Sequence, residues 1–158
     1  MRKAASRLQQ EIKQNRPFSS TKQEAVLGVL KTADVLRREI SRVVADGGLT
    51  LQQYNVLRIL RGAQPDGLPT LEIAERLIEE SPGITRFMDR LESMNFIERQ
   101  RCSKDRRRVL CRITKEALEV LKQLDDPIEA WTKASLAMLD AAELRSLIKT
   151  LDQVRQNV

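Results

Sequence analysis

The sequence contains no histidine and only two cysteines among its 158 residues. The absence of histidine excludes imidazole general bases, the nucleophile pairs that depend on them, and histidine metal ligands. Cys102 and Cys111 are too few for a disulfide scaffold and fit no zinc-binding spacing. We therefore expect a reducing compartment, no catalytic site, no metal site and no cofactor.

Aromatic residues are also scarce, at 3% of the chain, so leucine, isoleucine, valine and alanine must form the core. A core of this kind is more often helical than a β-sandwich. No apolar run reaches the roughly 18 residues of a membrane helix, and the first residues lack a secretory signal core. These absences predict a soluble, cytoplasmic protein that is mainly α-helical.

The net charge of +6 is concentrated in one short segment. Residues 99–112 contain one acidic residue, Asp105, and seven basic residues: Arg99, Arg101, Lys104, Arg106, Arg107, Arg108 and Arg112. This segment therefore carries as much net charge as the whole chain. Such a concentration indicates a surface for a polyanion; the alternative is a solvated basic loop.

Hydrophobic periodicity and capping residues predict the helices that flank this segment. An amino-terminal arm, 1–17, precedes a long helix that ends near Ala45, and Thr50 is placed to cap a helix over 51–61. Thr70 is placed to cap a short helix over 71–78, with its inward residues predicted at Leu71, Ala74, Leu77 and Ile78. The last two helices follow Thr114 and Asp140, and Pro127 is expected to kink or interrupt the first of them.

The most regular amphipathic pattern lies between residues 81 and 95. Ser81 is the predicted cap, and Pro82 suits the first turn. Apolar residues recur with helical spacing at Ile84, Phe87, Met88 and Leu91. The opposite face presents Thr85, Arg86 and Arg90. Two strands, 96–102 and 108–114, follow and enclose the basic tip.

A short helix, a tight turn, an amphipathic helix and a basic hairpin, in this order, predict a winged helix-turn-helix. The fold class is mainly α with a small β-hairpin wing. The helix over 81–95 would enter the major groove of DNA, and the wing over 99–112 the minor groove. The predicted DNA contacts are Ser81, Thr85, Arg86, Arg90, Lys104, Asp105, Arg106, Arg107 and Arg108.

The same segments resemble the MarR (multiple-antibiotic-resistance regulator) family. The matching strings are I-A-E-R-L at 73–77, I-T-R-F-M-D-R-L-E at 84–92, F-I-E-R at 96–99 and K-D-R-R-R-V-L-C-R-I-T at 104–114. The resemblance implies that Asp105 orients the wing arginines and that Arg107 enters the minor groove. Ser81-Pro82-Gly83 departs from the hydroxylated residues common at that place in the family.

The resemblance further implies a transcriptional regulator, typically a repressor, that responds to a small molecule. An anionic or aromatic effector would bind at Val35, Arg38, Arg42, Tyr54 and Arg58; the alternative for each residue is packing or solvent exposure. Apolar stripes near both ends predict a homodimer on a pseudo-palindromic site, with residues 18–48 and 115–158 as the dimerisation region and 49–114 binding DNA. The alternative function is a winged-helix module that binds a protein.

The two cysteines offer one further hypothesis. If the hairpin were centred between Arg106 and Arg107, Cys102 and Cys111 would lie opposite each other and could form a redox switch. Cys111 alternates with Val109 and Ile113, however, so the alternative is a buried, inert thiol.

Overall fold

The computed structural model describes residues 5–79, 83–101 and 109–157, which form two compact units, residues 1–40 and 41–158. In the first unit, α1 (Arg7–Glu11) is capped by Ser6, and the longer α2 (Thr21–Ala45) begins. The side chain of Leu8 lies over Gly28 of α2, where a methyl group would be 3.8 Å from the leucine Cδ2. None of the described residues of this unit is buried, so it has no core of its own.

The second unit contains five helices and three strands within its described residues. The helices are α3 (Leu51–Gly62), α4 (Thr70–Glu75), α5 (Ile84–Ser93), α6 (Lys115–Ser135) and α7 (Ala141–Gln156). The strands β1 (Leu68–Pro69), β2 (Ile97–Arg101) and β3 (Val109–Ile113) form an antiparallel sheet in the order β1-β3-β2. Side chains from α3, α4, α5, β2 and α6 meet in one core, whose fully buried members include Leu57, Ile73, Met88, Ile97 and Leu121. This architecture confirms the predicted fold class.

Capping residues set several of the helix ends where the sequence predicted them. Thr50 and Gln53 form a reciprocal capping box at α3, and Asp140 and Glu143 form one at α7. Gly48 takes a left-handed conformation, with φ of 70°, in the turn that follows α2. These helix ends could be predicted from the sequence because each depends only on hydrogen bonds between neighbouring residues.

The predicted orientation of α4 was wrong. Leu71 and Ile78 are each 75% exposed, whereas Ile73 is completely buried. The sequence predicted one helix over 71–78, but α4 begins at Thr70, ends at Glu75 and directly follows β1. Because β1 pairs with β3, this strand fixes how α4 leaves the sheet and turns Ile73 into the core.

Two further helix predictions need correction. The helix predicted over 81–95 is α5, and it begins at Ile84 after Gly83, whose φ is 94°; Ser81 and Pro82 lie outside the described residues. Helix α6 continues through Pro127 without interruption. A proline removes one backbone donor, but the helical segments on either side are long enough to persist.

The strand register contradicts the alignment that the redox hypothesis requires, and it fits the alternative of a buried thiol. Cys111 lies opposite Arg99 on β2 and opposite Leu68 on β1. Its thiol is buried in the central strand, 3.6 Å from the Thr70 hydroxyl oxygen. Cys111 therefore pairs with a residue that precedes Cys102 in the sequence, and Cys102 itself lies outside the described residues.

No helix within the described ranges is both long enough and apolar enough to span a membrane.

Candidate nucleic-acid interface

Helix α5 separates a buried face from a cationic face. Met88 and Leu91 are completely buried. Thr85, Arg86 and Arg90 are exposed on the opposite side, as the sequence predicted. Within the described parts of the chain, no ion pair engages Arg86 or Arg90. The helix thus presents two guanidinium groups that are available to an external acceptor.

The carboxyl end of α5 is fixed by a Schellman motif. The Phe96 amide donates to the Leu91 carbonyl, and the Asn95 amide donates to the Glu92 carbonyl, both at 2.9 Å. Asn95 adopts the left-handed conformation that ends the helix, with φ of 56°. This turn leads directly into β2 and so sets the direction in which the hairpin leaves the helix.

Thr114 joins the end of this hairpin to two helices. Its hydroxyl donates to the Asn95 carbonyl at 2.8 Å and accepts from the Ala117 amide at 3.2 Å. Its own amide donates to the Phe96 carbonyl at 3.1 Å. One side chain therefore caps α6, as predicted, and also holds the turn that follows α5.

Arg99 does not project freely from the basic segment. Its Nη1 lies 2.7 Å from Asp89 Oδ1 and 3.1 Å from Glu92 Oε2, both on α5. Burial alone would lower the pKa of Arg99, but the hydrogen bond to Asp89 and the charge of Glu92 outweigh it and raise the pKa. The guanidinium therefore stays charged and links β2 to α5. Sequence reasoning missed this pair because its members are ten residues apart and belong to different elements.

Arg112 is exposed but also engaged by hydrogen bonds. Its Nε donates to the Asp66 carbonyl at 3.3 Å, and its Nη1 donates to Gln100 Oε1 at 3.0 Å. Arg101, at the end of β2, is exposed. The predicted contacts Lys104, Asp105, Arg106, Arg107 and Arg108 lie outside the described residues, as does Ser81.

The residues predicted to bind an effector have differing environments. Val35 and Arg38 belong to the first unit, where Arg38 pairs with Asp34 at 3.1 Å. Tyr54, in the second unit, is buried, and this burial raises the pKa of its hydroxyl despite the opposing charges of Arg58 and Arg61. Arg42, also in the second unit, is exposed.

Arg58 lies one turn after Tyr54 on α3 and faces solvent. It lines an open cleft of about 270 Å³ together with Ile59, Gly62 and Arg76. Arg76 itself pairs with Glu72 at 3.5 Å. The cleft therefore places two guanidinium groups beside a small apolar surface.

Fold and site together define a winged helix-turn-helix protein, and comparison with known proteins specifies the family. The MarR family model matches residues 49–109. A MarR transcription factor from Planctomyces limnophilus is 36% identical over 87% of this chain and 99% of its own, with a TM-score of 0.64. The chain therefore belongs to the MarR family of transcriptional regulators.

Two other solved structures share the architecture. PcaV from Streptomyces coelicolor, solved in complex with its natural ligand, is 27% identical over 79% of this chain and 89% of its own, with a TM-score of 0.65. MepR from S. aureus, solved as a DNA complex, is 17% identical over 87% of this chain and 99% of its own, with a TM-score of 0.76. At that identity, the MepR likeness concerns the fold.

Proposed function

We propose that this chain is a homodimeric regulator that binds a specific double-stranded DNA site, with α5 in the major groove and the wing in the minor groove. The observation that carries the proposal is the pair of exposed guanidinium groups on α5, Arg86 and Arg90, opposite a completely buried face. A guanidinium can donate two hydrogen bonds to the guanine edge in the major groove. Family membership and the existence of a MepR–DNA complex support DNA binding in general.

The wing would make a different kind of contact. Lys104, Arg106, Arg107 and Arg108 supply cations between the two strands. The minor groove is narrow and strongly negative over A·T-rich sequences, so it attracts arginine without reading individual bases. By analogy with the family, Arg107 would enter the groove and Asp105 would orient it. Ser81 and Thr85 would contact the backbone and base edges at the start of α5.

Selection of bound duplexes from a random pool by the full chain tests DNA recognition directly. We expect a pseudo-palindromic site whose half-sites are about one helical turn, roughly 10 bp, apart. Arg86→Gln or Arg90→Gln should each weaken binding by about 1–3 kcal/mol and relax the preference at one position per half-site. Failure of the full chain to bind any duplex would contradict the proposal. Capture of an acidic protein instead would favour the protein-binding module.

Wing variants separate the two kinds of contact. Arg107→Ala should weaken binding to the selected duplex and to a scrambled A·T-rich duplex together. Arg107→Lys should recover only part of the loss, because an ammonium is more strongly hydrated than a guanidinium. Asp105→Ala should show a weaker form of the Arg107→Ala effect. Unchanged affinity for both duplexes in a folded Arg107→Ala variant would exclude the wing from binding.

Dimerisation is supported by apolar side chains that each unit leaves uncovered. In α2 of the first unit, Val26 and Leu30 are 59% and 61% exposed. In α7 of the second unit, Ile148 is 60% exposed. A soluble monomer rarely leaves such stripes open to water. Light scattering should give twice the chain mass at micromolar concentration. Ile148→Asp should lower the measured mass toward that of the monomer, whereas the neighbouring control Lys149→Asp should leave the mass unchanged. A wild-type monomer would refute the dimer.

We further propose that the anionic aromatic effector expected from the sequence regulates DNA binding; the structure of PcaV with a natural ligand supports regulation by a small molecule. The cleft between Arg58 and Arg76 offers charge and an apolar surface for such a molecule. Benzoate and hydroxybenzoates should raise the melting temperature of the full chain. Arg58→Gln should abolish the rise, whereas Lys122→Gln on α6 should preserve it. An unchanged rise in Arg58→Gln would exclude this cleft.

A further inference from the structure

The exposed face of α5 carries an acidic residue among its arginines. Asp89 lies three residues after Arg86 and directly before Arg90, and its side chain is 57% exposed. Residues three apart on a helix are neighbours, with about 5–6 Å between their Cβ atoms. An unpaired Asp89 carboxylate could therefore bind the Arg86 guanidinium within the helix. It would also repel an approaching phosphate group.

The structure gives this carboxylate a different partner. Arg99 reaches from β2 to Asp89 at 2.7 Å and extends to Glu92 at 3.1 Å, and its side chain is only 25% exposed. One cation of the wing strand therefore engages both acidic residues and offsets part of their negative charge. Arg86, by contrast, has no ion pair among the described residues.

We propose that Arg99 is a positioning residue for DNA recognition: it holds Asp89 and Glu92 and thereby leaves Arg86 available to the base edge. The inference rests on the proposed function, in which α5 reads the major groove. Arg99 does not contact phosphate, although it belongs to the basic segment. Its action is exerted through Arg86.

A double-mutant experiment separates this role from two simpler ones. The probes are a duplex selected by the wild-type full chain and a scrambled duplex of equal length, measured by fluorescence anisotropy at several salt concentrations. Arg99→Gln should weaken binding to the selected duplex about three- to tenfold and leave the salt dependence unchanged. Asp89→Asn alone should have little effect, because Arg99 still holds Glu92.

The combined variant gives the decisive result. Arg99→Gln with Asp89→Asn should regain most of the lost affinity, because the competing carboxylate is gone. In an Arg86→Gln background, Arg99→Gln should cause little additional loss. Arg99→Lys, whose single ammonium can hold one carboxylate, should show a smaller defect that Asp89→Asn also relieves. It provides the same test if Arg99→Gln fails to fold.

Other outcomes would overturn the inference. A salt slope reduced by about one per subunit, with no rescue by Asp89→Asn, would show that Arg99 contacts phosphate. A lower melting temperature with no rescue would show that Arg99 only anchors β2. Wild-type affinity in a folded Arg99→Gln variant would show no role at all. Failure of the wild-type chain to bind any duplex would instead refute the proposed function.

Discussion

Replacing Thr114 with valine should loosen the junction between α5, the wing and α6. Valine has nearly the same shape as threonine but cannot accept from the Ala117 amide or donate to the Asn95 carbonyl, contacts of 3.2 and 2.8 Å. Loss of a helix cap costs about 0.5–2 kcal/mol, and loss of a hydrogen bond about 0.5–1.5 kcal/mol. We expect a combined loss of about 2 kcal/mol, which in a protein of this size lowers the melting temperature by about 4–8 °C.

Circular dichroism during heating measures this loss. All variants are compared at one protein concentration, because the melting temperature of the proposed dimer depends on it. Thr114→Ser is the matched control: it keeps the hydroxyl and should remain near wild type. Specific DNA affinity should fall in Thr114→Val, because the end of α5 loses its anchor to the wing. A Thr114→Val protein within about 0.5 kcal/mol of wild type, or a Thr114→Ser protein equally destabilised, would refute this account of the junction.

Two other substitutions test the structure of the second unit. Gly67→Ala should destabilise the fold by about 2 kcal/mol or more, because the added methyl group would lie 2.5 Å from the Cys111 carbonyl oxygen at a φ of 75°. Gly62→Ala, at the open end of α3, is the control and should be neutral or slightly stabilising. Equal effects of the two substitutions would contradict the predicted clash. Burial raises the pKa of Tyr54 above its ordinary value of 10.0, so the buried phenol favours the folded state below pH 10.0 and this contribution is lost as pH rises through the folded pKa. The free energy of unfolding, measured by urea titration, should therefore fall less steeply above pH 10.0 in Tyr54→Phe than in wild type. The same pH dependence in both proteins would contradict this reasoning.

The elements that the sequence predicted well are those whose information is local. The apolar spacing of Ile84, Phe87, Met88 and Leu91 defines α5, and the Thr50–Gln53 pair marks the start of α3. The left-handed turn at Asn95 follows from the side-chain preference of asparagine for that conformation. Each of these features depends on residues within two helical turns.

The features that the sequence missed depend on distant partners. Strand β1 contains only Leu68 and Pro69, within a stretch that reads as a turn, and it exists because it pairs with β3 some forty residues later. That pairing also determines which face of α4 is buried. Because the strand was not predicted, Leu71 was wrongly predicted to face the core. The ion pair of Arg99 likewise depends on how β2 packs against α5. Charge density therefore located the basic segment but could not show which of its cations are already engaged.

The cations of the basic segment should consequently contribute unequally to DNA binding. Arg112 donates to the Asp66 carbonyl and to Gln100, so its exposed guanidinium is already engaged by the protein. Each phosphate contact contributes about 0.9 to the slope of log affinity against log salt concentration. Arg112→Gln should therefore lower the melting temperature but leave that slope unchanged, whereas Arg107→Ala should reduce the slope, because Arg107 would carry its charge into the minor groove between the two phosphate backbones. Equal reductions in the two variants would mean that residues 99–112 act as a diffuse basic surface, and the distinction drawn from the sheet contacts would fail.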